Sequence, residues 1–177
     1  MTNLYGNKLY VDMDGVIADF FGVTGLPARF NVPHWKQIPL INEALQELVN
    51  TDFFFMLEPF ESSASLIDYV RRLTTEYEGW EWGICSSPLR GDRDNSAYWK
   101  RRWLEKHDFM PMPHNFVITG RKENYAINQI DGSPNILIDD KPSNIDKWRG
   151  KGGIGILYQA NKHSLESLLD KLSVHVK

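Results

Sequence analysis

Five short apolar runs, none broken by the strict alternation of a half-exposed strand, restrict most what this chain can fold into. They are KLYVDM (8–13), EWGICS (81–86), NFVIT (115–119), NILID (135–139) and GIGILY (153–158). Unbroken hydrophobicity over so few residues suits strands covered on both faces. Helical patterns lie between them. SASLIDYVRRLTTEY sets Leu66, Ile67, Val70 and Leu73 on one stripe, with Ser62 or Ser63 available as N-cap. NSAYWKRRWLEKH offers Tyr98, Trp99, Trp103 and His107 at helical spacing, and SLESLLDKLSV offers Leu165, Leu168, Leu169 and Leu172 behind a capping Ser164. Strands alternating with helices predict an α/β sandwich: a parallel sheet with helices on both faces.

Residues 20–58 break that rhythm with aromatics, Pro27, Pro33, Pro39 and one short helical pattern, INEALQELV (41–49). This stretch reads as a small helical cap inserted after the first strand, leaving 1–19 and 59–177 as the core. A chain of 177 residues needs no disulfide to bury a core, and its one cysteine, Cys85, has no internal partner. Cys85 itself, between Ile84 and Ser86, reads as a small core residue. With no signal-peptide pattern and no long apolar run, the expectation is a cytoplasmic protein without membrane association. A formal charge of −3 argues against a general nucleic-acid binder. The basic triplet Lys100-Arg101-Arg102 reads as a solvated helix surface.

In an open parallel sheet, ligands collect beyond the carboxyl ends of the strands. Those ends carry Asp12-Met13-Asp14-Gly15, Ser86-Ser87-Pro88, Thr119-Gly120-Arg121-Lys122 and Asp139-Asp140-Lys141. Acids at the end of a buried strand are costly without a cation nearby, so this rim is expected to hold Mg²⁺ and a phosphate. Asp12 and Asp140 suit the metal, and Asp14, two residues beyond Asp12, suits general acid–base work. A hydroxyl and a lysine opposite suit the phosphoryl oxygens. Lys122 is preferred over its neighbour Arg121 for that role. Asp139 either orients its neighbours or touches the metal.

This constellation resembles the haloacid dehalogenase superfamily of phosphotransferases. DMDGV matches its first motif and WGICS its second; Lys122 is the candidate for the third, and ILIDD matches the fourth. VDMDGVIADF, the FF-x-x-LEP segment, ICSSP, IT-G-R-K and LIDDK are further similar to the 5′(3′)-deoxyribonucleotidase family, from about residue 8 to 145. The resemblance implies a dehalogenase-like three-layer sandwich. It also implies a hydrolase that dephosphorylates deoxynucleoside monophosphates through an aspartyl-phosphate. By the same likeness Asp12 is the nucleophile and Asp14 the acid/base. Ser86 and Lys122, with Ser87 beside them, bind phosphate. Asp12, the Asp14 backbone carbonyl and Asp140 hold Mg²⁺, and Phe20 helps enclose the nucleoside. The implied partner is a nucleoside monophosphate, and a homodimer is left open. Ser86 stands where the mammalian relatives carry threonine, and the insertion after Phe20 is shorter than theirs. Another small phosphomonoester, such as a sugar phosphate, is the rival substrate; a non-catalytic binding module is the rival from another class.

Overall fold

The apolar runs become one parallel sheet in the computed structural model, which describes residues 6–177. Among those residues the strands are β1 (Asn7–Val11), β2 (Trp80–Ser86), β3 (Phe116–Ile118), β4 (Ile136–Asp139) and β5 (Ile154–Leu157), in the spatial order β3-β2-β1-β4-β5. Central β1 pairs Val11 with Ile84 on one side and with Ile138 on the other. Its pleat explains the continuous hydrophobicity, because alternate residues enter two different cores. Leu9, Val11, Ile136 and Ile138 pack in the larger cluster. Tyr10, Cys85 and Leu137 pack with Trp148 in the smaller one, so Cys85 is a core residue.

The larger core takes the apolar faces of α3 (Ser63–Glu76), α4 (Arg93–Lys106) and α6 (Leu165–His175). In α3 the predicted stripe Leu66, Ile67, Val70 and Leu73 is buried. Ser62 occupies its N-cap position without a capping bond, while the Ser63 hydroxyl donates to the Ile17 carbonyl at 2.8 Å and ties the helix to the loop after β1. Ser164 does cap α6, accepting from the Ser167 N–H. The other face is covered by α5 (Pro142–Gly150), which buries Ile145 and Trp148. The sequence reading did not anticipate this helix, because two apolar residues in nine make no visible stripe.

The inward face of α4 differs from the expected aromatic one. Its buried residues are Ser96, Lys100, Trp103 and Leu104, whereas Tyr98 is exposed. Positions four and three apart still share a face, but the face is rotated so that a serine and a lysine point inward. The reading of the basic triplet as solvated surface is therefore corrected for Lys100, although Arg101 and Arg102 are exposed and pair with Glu105.

Between β1 and α3 the chain makes only short helical pieces, α1 (Leu26–Arg29), α2 (Ile41–Gln46) and single turns at Trp35–Gln37 and Phe53–Met56. The excursion leaves and returns side by side, with the Asp19 N–H bonded to the Glu58 carbonyl at 2.9 Å. Its buried residues Leu26, Leu48, Phe53 and Phe54 join the same cluster as the sheet. No helix among the described residues is long and apolar enough to cross a membrane.

Trp103 joins this excursion to α4: its ring is buried, and its indole N–H donates to the Leu57 carbonyl at 2.7 Å. Trp103→Phe keeps most of the packing but orphans a buried carbonyl, so urea unfolding is expected to show a loss of about 1–3 kcal/mol. Trp103→Ala is expected to cost about 3–5 kcal/mol. A Phe variant as stable as the parent would show that the hydrogen bond contributes nothing.

Candidate active site

Parallel strands bring their carboxyl ends to one rim. After β1 the chain turns tightly on the Met13 carbonyl, which accepts from the N–H groups of Val16, Ile17 and Ala18 at 3.2, 2.9 and 2.9 Å. The turn needs Gly15, whose φ of +81° disfavours any side chain. A Cβ there would also collide with the Asp140 carboxylate. The loop thus holds Asp12 and Asp14 at the rim and presses Asp140 against the Gly15 backbone.

Lys122 reaches this cluster from the single turn Lys122–Tyr125. Its ammonium is buried and lies 2.8 Å from Asp12 Oδ1 and 2.6 Å from Asp139 Oδ2. The two carboxylates raise its pKa beyond the ordinary lysine range against the opposing effect of burial. Arg121, the alternative considered from sequence, lies on the exposed surface. Asp12 Oδ1 also accepts from the Met13 N–H at 2.8 Å. Asp139 is buried and fully engaged: besides Lys122 it accepts from the Lys141 N–H at 2.9 Å and from Asn144 Nδ2 at 3.1 and 3.2 Å.

One oxygen from each of Asp12, Asp139 and Asp140 lies within 4.8 Å of the others, a hard-oxygen donor set suited to a divalent cation such as Mg²⁺. With Asp139 already saturated, Asp12 and Asp140 are the carboxylates with capacity to spare. Burial, and then the charges of Asp12, Asp139 and Asp14, push the Asp140 carboxyl up to about 8. Burial and Asp12 push Asp139 up to about 6, with Lys122 opposing. Asp14 is likewise raised by burial, an effect offset by Lys100 and reinforced by Asp12.

Lys100 is the residue of this cluster that the sequence concealed. From the inward face of α4 its ammonium, with no exposure to solvent, donates to Asp14 Oδ2 at 2.7 Å and to Ser86 Oγ at 2.8 Å. The Phe54 ring covers it at 4.3 Å from the centroid. Ser86, the last residue of β2 and expected at the phosphate, is wholly buried and bonded to Lys100; Ser87, the next residue, lines the cavity.

That cavity, about 680 Å³, opens over Asp12, Asp14, Ser87, Lys122 and Asp140. Phe20, Phe21, Trp35, Phe54 and Phe60 form its aromatic lining. Phe20 is buried and packs edge-on against Phe21 and Phe53, with ring centroids 4.7 and 5.4 Å away. Of the three consecutive phenylalanines Phe53, Phe54 and Phe55, only Phe54 borders this space. Lys141, Lys147 and Lys162 lie along the cavity as well, giving it a basic border favourable to anions.

The chain matches the family model described as 5′ nucleotidase, deoxy (pyrimidine), cytosolic type C protein, over residues 7–170. A curated relative, the mitochondrial 5′(3′)-deoxyribonucleotidase of Mus musculus, is 29% identical over 154 residues, covering 76% of this chain. The match spans 64% of that relative, so the present chain corresponds to less than two thirds of its length. Among solved structures, a hydrolase from Streptococcus pneumoniae TIGR4 superposes with a TM-score of 0.55 at 13% identity, covering 96% of this chain and all (100%) of that one. A haloacid dehalogenase-like family hydrolase from the same species superposes with a TM-score of 0.52 at 14% identity, covering 94% and 90% of the two chains. These two likenesses establish the dehalogenase-like fold.

The crowded acids give a pH-dependent signature. Asp140 titrates at about 8 when folded and about 3.9 when unfolded. Over that window the native state binds more protons, so this group's contribution lowers stability as pH rises from about 4 to about 8. A divalent cation replaces the proton and relieves the repulsion. The rise in melting temperature on adding Mg²⁺ is therefore expected to be larger near pH 8 than near pH 5.5, about the middle of the window. Thermal melts with and without the metal measure it, and equal shifts at both pH values would contradict the electrostatic reading.

Proposed function

The chain belongs to the 5′ nucleotidase, deoxy (pyrimidine), cytosolic type C protein family, and on that premise we propose that it is a Mg²⁺-dependent phosphomonoesterase acting on deoxynucleoside monophosphates. One observation carries the reading: Asp12 and Asp14 stand two positions apart on a glycine-bound loop, at a cavity that also presents Lys122, Asp140 and an aromatic wall. In this reading residues 20–58 are the cap, and the segments 1–19, whose first five residues lie outside the described ones, and 59–177 are the catalytic core.

Asp12 attacks phosphorus in line and forms an aspartyl-phosphate as the bond to the sugar oxygen breaks. Asp14, protonated at the start, gives its proton to that oxygen and afterwards takes one from the water that hydrolyses the acyl phosphate. Lys122, already 2.8 Å from Asp12, is placed to steady both the nucleophile and the phosphoryl oxygens. The hydroxyl and backbone of Ser87 complete the phosphate's surroundings, with Ser86 behind it. Asp12, Asp140 and the Asp14 backbone carbonyl would hold the cation, which when bound supplies the positive charge that lets two anions meet. The aromatic residues, Phe20 first among them, offer faces to the nucleoside and exclude water from the reacting atoms.

A panel of nucleotide and sugar monophosphates tests the assignment. Deoxynucleotides are expected to exceed their ribonucleotide counterparts in kcat/KM by about ten- to a hundredfold, because a 2′-hydroxyl against an apolar wall loses hydration without gaining a partner. A sugar phosphate as the best substrate would overturn the nucleotide assignment. Asp12→Asn is expected to abolish turnover while the melting temperature survives, since the amide is nearly isosteric but a far poorer nucleophile. Asp140→Ala is expected to raise the Mg²⁺ concentration needed for half-maximal rate, and full activity in excess chelator would remove the metal from the account.

A further inference from the structure

Asp14's carboxyl group has one hydrogen-bond partner among the described residues, and it is Lys100. The ammonium reaches Oδ2 at 2.7 Å, while Oδ1 is buried with no partner at all. A carboxyl that is to exchange protons with a leaving oxygen must be held in one orientation, because proton transfer requires hydrogen-bond geometry. The loop fixes the Asp14 backbone, but the side-chain torsions depend on this single contact.

Lys100 is itself unusually well fixed. Its side chain is wholly buried, its second hydrogen bond goes to Ser86 Oγ at 2.8 Å, and Phe54 lies over it. An ammonium has donors only, so Ser86 accepts here and the serine acts as the second anchor of the lysine. Cation–π contact with a desolvated ring adds to the hold. The lysine does not line the cavity, whereas Asp14 does. Its position fits a group acting through Asp14 better than one touching substrate.

We propose that Lys100 is a positioning residue: anchored by Ser86 and Phe54, it orients the Asp14 carboxyl for proton transfer to the leaving group. The inference rests on the phosphomonoesterase reading and adds to it a residue from α4, an element that carries none of the strand-end motifs. It also gives Ser86 a role behind the phosphate and couples the segment Phe53–Met56 to the chemistry.

The test is the dependence of the loss on the leaving group, read as kcat/KM, which covers the steps up to the covalent intermediate. Lys100→Met is expected to lower kcat/KM at least about a hundredfold on a deoxynucleoside monophosphate, whose alkoxide needs a proton. On p-nitrophenyl phosphate, whose leaving group departs unprotonated, the loss is expected to stay below about tenfold. Ser86→Ala is expected to show the same selectivity in milder form. Removing the lysine alone leaves the half-buried Asp14 carboxyl without its partner and can weaken the fold, so the decisive comparison is Asp14→Asn with Asp14→Asn/Lys100→Met, which carries no such charge. If Lys100 acts through Asp14, the double variant is no slower on nucleotide than Asp14→Asn alone. Equal losses of Lys100→Met on both esters, or a double variant slowed by a further factor of ten or more, would overturn the positioning role while leaving the phosphatase reading intact. A parent enzyme that hydrolyses neither ester would overturn both.

Discussion

Four carboxylates, Asp12, Asp14, Asp139 and Asp140, share one edge of the sheet with two buried ammonium groups, Lys100 and Lys122. With every acid ionised the cluster is short of two positive charges, a deficit that a low-dielectric surrounding makes expensive. Protons or a divalent cation can make it up, and the carboxyls of Asp14, Asp139 and Asp140 are all raised above their ordinary range by this crowding and by burial. Most of the architecture serves to bring these charges together. β1 lies between β2 and β4 so that three strand ends meet, and Gly15 lets the loop turn directly beneath Asp140.

The two lysines divide the work by position. Lys122, from the turn after β3, pairs with Asp12 and Asp139 and so sits beside the proposed nucleophile. Lys100, from α4, pairs with Asp14 and Ser86 beneath the cavity floor. Removing Lys122 strips the buried carboxylates of Asp12 and Asp139 of their cation, which generally costs several kcal/mol, whereas removing Lys100 leaves the half-buried Asp14 without its partner. The aromatic excursion borders the arrangement from outside: Phe54 both lines the cavity and covers Lys100, so the proposed water exclusion and acid positioning share one ring.

How much of this could be read from the sequence follows from the range of each interaction. The strands were legible because both faces of each are covered, which leaves an unbroken apolar run of the right length. Asp12 and Asp14, Ser86, Lys122 and Asp140 could be grouped from the sequence because they close or follow four separate runs, and parallel strands deliver such positions to one rim. The orientation of Ser86 was not legible, since which way its hydroxyl turns depends on a helix later in the chain. Lys100 was hidden for the same reason: beside Arg101 and Arg102 it looks like a solvated helix face, and its partner Asp14 is 86 positions away. Helix α5 was missed because Ile145 and Trp148 alone carry its packing. Within the excursion between β1 and α3 only INEALQELV has a period to read, and it becomes α2 (Ile41–Gln46); the other short pieces carry none.

The central claim is that this acidic rim, once its missing positive charge is supplied, makes Asp12 a nucleophile toward phosphorus. The most direct measurement is acid quenching of the enzyme during turnover of a deoxynucleoside monophosphate with Mg²⁺, followed by mass spectrometry of the peptide that contains Asp12. The account predicts a phosphoryl group on Asp12 that accumulates during turnover and decays when substrate is exhausted. Steady release of inorganic phosphate with Asp12 unmodified at every quench time, or the phosphoryl group found on another residue, would contradict it.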